Sequence, residues 1–181
     1  VSMGLGDAPD MPVNTATEPN YPTFLFNAMI HPLVDYAIRG AIWYQGEANV
    51  ARAAQYRDLL PLMIHDWRQH WGYAFPFYIV QLPNYMKAQE GPEESEWAEL
   101  REAQKHALRL ENTGLAVCID VGDGDDLHPK NKPAVGRRLS LVARALTYGE
   151  QIPYSGPVYE GYRIEGNTIR IDFSHTDKGL K

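Results

Sequence analysis

Gly40-Ala41-Ile42-Trp43-Tyr44-Gln45-Gly46-Glu47-Ala48-Asn49 passes from an apolar run into a polar turn in a single step. From Ala51 onward the period changes: Tyr56, Leu59, Leu60, Met63, Ile64 and Trp67 recur at steps of three and four, which keeps an apolar stripe on one side of a helix. Strand, polar turn and helix form the unit from which parallel sheets are built. In an open α/β sheet, functional groups gather just beyond the carboxyl ends of the strands. Gln45-Gly46-Glu47 therefore reads as an active-site turn. The strand before it is expected over residues 37–44, with Ala41-Ile42-Trp43 buried on both faces.

The same alternation repeats twice downstream. Pro61 interrupts the first stripe, which resumes beyond it, so one bent helix is expected rather than two. Residues 75–82 read as the next strand, placing Asn84 and Tyr85 in the loop at its carboxyl end; the polar stretch 86–96 reads as a mobile lid. Trp97, Leu100, Gln104, Ala107, Leu108 and Glu111 share a face of a second helix, and Gly114 restarts the chain as a strand over 115–121. A third helix is expected over 133–148, with Val135, Leu139, Val142, Ala143 and Leu146 as its stripe and Gly149 beyond its end.

Three strand–helix repeats predict an α/β fold, a mainly parallel sheet covered on both faces. Upstream, residues 1–22 read as a linker or surface loop and residues 24–31 as one or two helical turns stopped by Pro32. Residues 158–164 and 168–173, around Glu165-Gly166-Asn167, read as an antiparallel hairpin. An isolated hairpin is marginal, so residues 153–181 are expected to begin a C-terminal β region, leaving 23–152 as a partial α/β domain.

The 181 residues carry a formal charge of −6, which offers no basic field for a phosphate backbone, and nucleic acid is not an expected partner. No stretch is long and apolar enough to insert in a bilayer. Cys118 is the only cysteine and lies inside Leu115-Ala116-Val117-Cys118-Ile119, which predicts a buried structural thiol. The six histidines show no zinc-ligand pairing, and the Asp120, Asp123, Asp125, Asp126 spacing is not that of a calcium loop, so no metal is expected.

A second polar turn, Asp125-Asp126-Leu127-His128-Pro129, follows the third strand. A hydrolase needs an imidazole to take a hydroxyl proton and a carboxylate to hold that imidazole in the right tautomer. His128 suits the first role. Asp125, three residues before it, and Asp126, two before it, can each fold back toward it in different turn geometries, and the alternative is an acidic surface loop with an incidental histidine. The side-chain amide of Gln45 can donate to an oxyanion, and Glu47 can orient His128 or tie down its own loop. No nucleophile elbow accompanies them: Ser2, Ser95, Ser140, Ser155 and Ser174 lie in no Gly-x-Ser-x-Gly turn. The nucleophile is expected upstream of Val1.

Several segments together resemble the bacterial sialate O-acetylesterases, within the wider SGNH-type hydrolases. They are Leu25-Phe26-Asn27-Ala28-Met29-Ile30-His31-Pro32-Leu33, Arg39 through Asn49, Asp66-Trp67-Arg68, Leu100-Arg101-Glu102-Ala103-Gln104, Asp126-Leu127-His128-Pro129-Lys130-Asn131-Lys132 and Gly136-Arg137-Arg138-Leu139. The resemblance implies a three-layer sandwich of SGNH-hydrolase type, missing its N-terminal strands here, and ester cleavage through an acyl-serine. It places His128 at the family's catalytic histidine and Gln45 at the oxyanion-hole amide. The supporting acid stays open among Asp125, Glu47 and Asp126, taken in that order. Arg101, Asn84 and Tyr85 are candidate substrate contacts.

The expected function is that of a serine esterase removing O-acetyl groups from sialic acid or another acetylated sugar, with this chain alone inactive for want of the serine. Such ester hydrolysis requires no organic cofactor. Family members often act outside the cytoplasm, which implies a periplasmic or secreted protein. Two alternatives stand beside it: an acetylxylan or other polysaccharide esterase using the same machinery, and a noncatalytic carbohydrate-binding module using Trp43, Tyr44 and Tyr85 as sugar platforms. The sequence leaves the oligomeric state open.

Overall fold

The computed structural model describes residues 23–87, 91, 93–176 and 179. The expected linker over 1–22 lies outside the described residues, as does part of the expected lid. The chain divides into two compact units, Val1–Ala37 and Ile38–Lys181. In the first, Phe26–Ile30 forms a π-helical turn and His31–Leu33 a 3-10 turn. Pro32 does not stop the helix there, because it sits in the first turn of the 3-10 segment, where a missing amide hydrogen costs nothing.

The second unit contains β1 (Ala41–Trp43), α1 (Ala53–Trp71), β2 (Phe77–Val80), α2 (Glu96–His106), β3 (Thr113–Ala116), α3 (Lys132–Leu146), and the hairpin β4 (Val158–Glu165) and β5 (Thr168–Ser174). Strands β1, β2 and β3 form a parallel sheet in that order, with Trp43 opposite Ile79 and Val80 opposite Ala116. Alternation along β2 builds the three layers. Phe77 and Ile79 join Tyr56, Leu60 and Ile64 of α1 and Trp97, Leu100 and Ala103 of α2 in one core. Val80 joins Cys118, Val121 and Val135 of α3 in a second core on the other face. The expected α/β sandwich is thus observed, with Cys118 fully buried.

Helix α1 is continuous through buried Pro61 and ends on Gly72 in the left-handed region, φ +75°. Helix α2 starts on Ser95, whose hydroxyl accepts the Ala98 amide, and α3 on Asn131, whose side chain accepts the Ala134 amide. At Gly114 an added Cβ would stand 2.5 Å from Val142, so the glycine within β3 lets α3 lie directly on the sheet.

Three further expectations are corrected. Ile42 is 70% exposed, not buried, because α3 packs over β2 and β3 and leaves that face of β1 uncovered. The third strand comprises Thr113–Ala116, not residues 115–121, since the chain turns after Ala116 toward the acidic loop. The second helix changes to a 3-10 turn over Ala107–Arg109, which leaves Glu111 exposed. The hairpin forms as expected. Tyr162 faces Ile171 and Ile164 faces Ile169, all four largely exposed, while Arg163 pairs with Glu165 and Asp172.

Candidate active site

All three strands of the sheet point the same way, so the segments after Trp43, Val80 and Ala116 leave it at one end. Gln45 lies two residues beyond β1, followed by Gly46 at φ +148° and a 3-10 turn, Glu47–Arg52, leading into α1. The Gln45 amide is held on both sides. Its Oε1 accepts the Tyr56 hydroxyl at 3.0 Å, and its Nε2 donates to Asn49 Oδ1 at 2.7 Å. A primary amide carries two N–H donors, so among the described residues one is left for an incoming oxygen. Tyr56 is itself fixed, accepting the Trp43 indole N–H at 3.3 Å. The arrangement suits an oxyanion donor, which must be oriented before charge develops.

The loop after β3 closes against the end of β2. The Gly122 amide donates to Asn84 Oδ1 at 2.8 Å, and the Asn84 amide donates to the Ile119 carbonyl at 3.3 Å. A Cβ on Gly122 would fall 2.0 Å from the Asn84 carbonyl oxygen, so this approach admits only glycine. Farther along, Pro129 is fully buried and Leu127 packs on the core cluster that also receives Trp43, Tyr44 and Tyr85. These two anchors turn the residue between them outward: the His128 side chain is 83% exposed.

The three candidate acids are placed differently. Asp126 Oδ1 accepts the backbone amide of His128 at 2.9 Å and lies 3.7 Å from His128 Nδ1. Asp125 is exposed, and its backbone amide donates to Asp123 Oδ1 at 3.0 Å. Among the described residues no hydrogen bond or ion pair joins Asp125 or Glu47 to His128. The carboxylate brought to the imidazole is therefore the one ranked last from the sequence. The turn geometry explains it, because an Asp two residues before an amide readily caps that amide with its own side chain.

The candidate substrate contacts have structural commitments. Asn84 spends its side-chain Oδ1 on the Gly122 amide, and the Tyr85 ring packs on Trp97 with centroids 5.3 Å apart. Arg101 is half-buried on α2, and burial lowers its guanidinium pKa against the opposing influence of Glu102. Trp43 packs edge-on against Trp67 at 5.8 Å, inside the core and not as an open platform. Tyr44 is held between the two cores with Lys132 Nζ 4.8 Å from its ring centroid. Burial, then Glu47 and Cys118, push the Tyr44 phenol up to about 12, so it stays neutral at ordinary pH.

None of the remaining serines in the described residues is set as a nucleophile. Ser95 caps α2, and the hydroxyls of Ser140, Ser155 and Ser174 hydrogen-bond to Arg137, Gly156 and Glu160. Burial pushes the Cys118 thiol up, which keeps it protonated and inert. Among the described residues no group of three or more His, Cys, Asp or Glu side chains is placed to hold a metal ion. The groove between α1 and α2, about 770 Å³, is lined by Arg57, Glu99, Lys105 and their neighbours and includes neither Gln45 nor His128.

A parallel α/β sandwich with an oriented amide and an exposed histidine at the carboxyl end of its sheet has the layout of a hydrolase. The sequence profile of the family described as "Carbohydrate esterase, sialic acid-specific acetylesterase" matches residues 16–144, and the chain belongs to that family. It is 36% identical over 166 residues to the sialate O-acetylesterase of Mus musculus, a match covering 82% of this chain and 31% of the mouse protein. To the sialate O-acetylesterase of Homo sapiens it is 34% identical over 168 residues, covering 83% of this chain and 32% of the human protein. A solved carbohydrate acetylesterase from Xanthomonas citri superposes with a TM-score of 0.80 at 42% identity, covering 88% of this chain and 38% of that one. The chain thus spans about a third of the length of the curated relatives it matches.

Proposed function

We propose that this chain supplies the general base and an oxyanion donor of a serine esterase that removes O-acetyl groups from a sugar. The observation that carries the reading is the Gln45 amide, fixed by Tyr56 and Asn49 with one N–H unspent, at the end of the sheet where the His128 loop closes. Membership of the carbohydrate esterase family supports the reaction class. The nucleophilic serine comes from a part of the protein outside the described residues; the serines at 95, 140, 155 and 174 are bonded elsewhere.

In this reaction a serine Oγ attacks the acetyl carbonyl carbon while His128 takes the hydroxyl proton. The tetrahedral oxyanion accepts the free Gln45 N–H together with backbone amides. Collapse expels the sugar oxygen, which receives the proton from His128. Water, deprotonated by His128, then attacks the acetyl-serine and releases acetate. Asp126 is the acid that steadies His128, a role supported by its 3.7 Å approach to Nδ1.

O-acetylated sialic acid is the proposed substrate, following the family description and the mammalian relatives. A second reading, an ester on a polysaccharide such as xylan, uses the same machinery and is compatible with a relative described only as a carbohydrate acetylesterase. Acetate release from the two substrates by the complete polypeptide separates them. Faster turnover of acetylated sialic acid supports the first reading and faster turnover of acetylated xylan the second. His128→Ala is expected to lower kcat by about 10²–10⁴ and Gln45→Ala by about 10²–10³. Undiminished acetate release by His128→Ala rejects both.

A further inference from the structure

The β1–β2 ladder pairs Ala41 with Phe77, Ile42 with Tyr78 and Trp43 with Ile79. Continued at the same offset, it would set Gln45 opposite Gln81. In a parallel ladder such a partner gives its N–H to the carbonyl of residue 80 and takes the N–H of residue 82. Both positions are occupied, but not by Gln45. Gln104 Nε2 donates to the Val80 carbonyl at 3.3 Å, and Gln104 Oε1 accepts the Leu82 amide at 2.9 Å. A side-chain amide from α2 therefore stands where the next peptide of β1 would be.

The displaced peptide is held by the same group. Gln104 Nε2 also donates to the Gln45 carbonyl at 3.1 Å, and a Cβ on Gly46 would meet Gln104 Nε2 at 3.3 Å and Leu100 at 3.1 Å. Meanwhile β2 keeps its bonds to the other neighbour, through the Gln81 amide to the Ala116 carbonyl at 3.0 Å. The two strands thus separate at Gln104, in the crevice beyond the strand ends where open α/β sheets bind ligands. Gln104 is fully buried, and its oxygen and both amide hydrogens have partners.

We propose that Gln104 is a positioning residue, a peptide surrogate that splays β1 from β2 and fixes the Gln45–Gly46 turn so that the Gln45 amide faces the reacting oxygen. The proposal rests on the oxyanion role given to Gln45. A methionine at 104 fills the space but neither donates nor accepts. A glutamate accepts the Leu82 amide but, when ionised, turns a second negative oxygen toward the Val80 and Gln45 carbonyls; protonated, it recovers one donor.

The test compares Gln104→Met and Gln104→Glu with wild type in the complete polypeptide, together with the ¹⁵N signal of the Gln45 side-chain amide. Both variants are expected to lose about 10- to 100-fold in kcat at neutral pH with KM changed less than about threefold. The Gln104→Glu rate, divided by wild type at the same pH, is expected to rise as pH falls, and that of Gln104→Met to stay level. The Gln45 amide signal moves in both variants and returns toward wild type at low pH in Gln104→Glu alone. A Gln45 signal unmoved in folded variants, or a pH-independent Gln104→Glu ratio, overturns the proposal. Absence of acetate release from wild type itself instead refutes the esterase reading, and the amide signal still decides whether Gln104 positions Gln45.

Discussion

Replacing Gly122 by alanine tests how the His128 loop is held. The new Cβ would lie 2.0 Å from the Asn84 carbonyl oxygen, 2.6 Å from its Oδ1 and 2.9 Å from its carbonyl carbon. The two segments must part by about 1 Å before the closest of these contacts reaches 3.0 Å. That movement stretches the Gly122 amide bond to Asn84 from 2.8 Å out of hydrogen-bond range. Loss of the bond costs about 0.5–1.5 kcal/mol and overpacking about 1–3 kcal/mol, giving roughly 1.5–4.5 kcal/mol together. For a chain of this size the unfolding midpoint falls by about 3–18 °C if the whole domain bears the cost. Thermal unfolding by circular dichroism measures it, and the His128 ring signals in the NMR spectrum report the loop's displacement. Because the nearest atom is backbone, adding Asn84→Ala brings no rescue. A Gly122→Ala protein within about 0.5 kcal/mol of wild type, with His128 signals unmoved, refutes the reasoning.

Three further outcomes are expected. Gly136 lies exposed within α3 with nothing within 4 Å of an added Cβ, so Gly136→Ala should stabilise by about 0.5–1 kcal/mol in the same melt. Asp126→Asn should lower kcat at least tenfold, whereas Asp125→Asn and Glu47→Gln should change it less than about threefold, a ranking that steady-state kinetics on the complete polypeptide decides. Arg138 holds the Asp120 carboxyl below the usual carboxylate range through a paired contact. The carboxylate is 62% exposed, so the pair contributes about 0.5 kcal/mol. A depressed carboxylate pKa stabilises above the unfolded value near ~3.9, and the gain is lost as pH falls through the folded value. Denaturation of Asp120→Asn should therefore match wild type in strong acid and fall slightly below it at neutral pH.

Most of the fold could be read from periodicity, because stripes such as Tyr56, Leu60 and Ile64 exist to meet a sheet, and they do so here. Ile42 was misread because an apolar run implies burial on both faces, while the reach of α3 across the sheet is a tertiary fact. His128 and Gln45 are legible as candidate site residues because they sit in polar turns after strands. Their supports were harder to see. Asn49, four residues after Gln45, and Gln104, a polar residue in a buried stripe, are local signals that a buried amide needs partners. Which partners it finds depends on strand register, and Gln104 answers a register that stops at Trp43. That Asp126 and not Asp125 lies beside His128 depends on side-chain-to-backbone capping within one tight loop, where sequence spacing allows either.

Labelling with a fluorophosphonate probe, located by peptide mapping, tests where the proposed nucleophile lies. The account predicts no adduct on Ser95, Ser140, Ser155 or Ser174 and an adduct on a serine outside the described residues of the complete polypeptide, lost with His128→Ala. An adduct on Ser95, Ser140, Ser155 or Ser174 would contradict it.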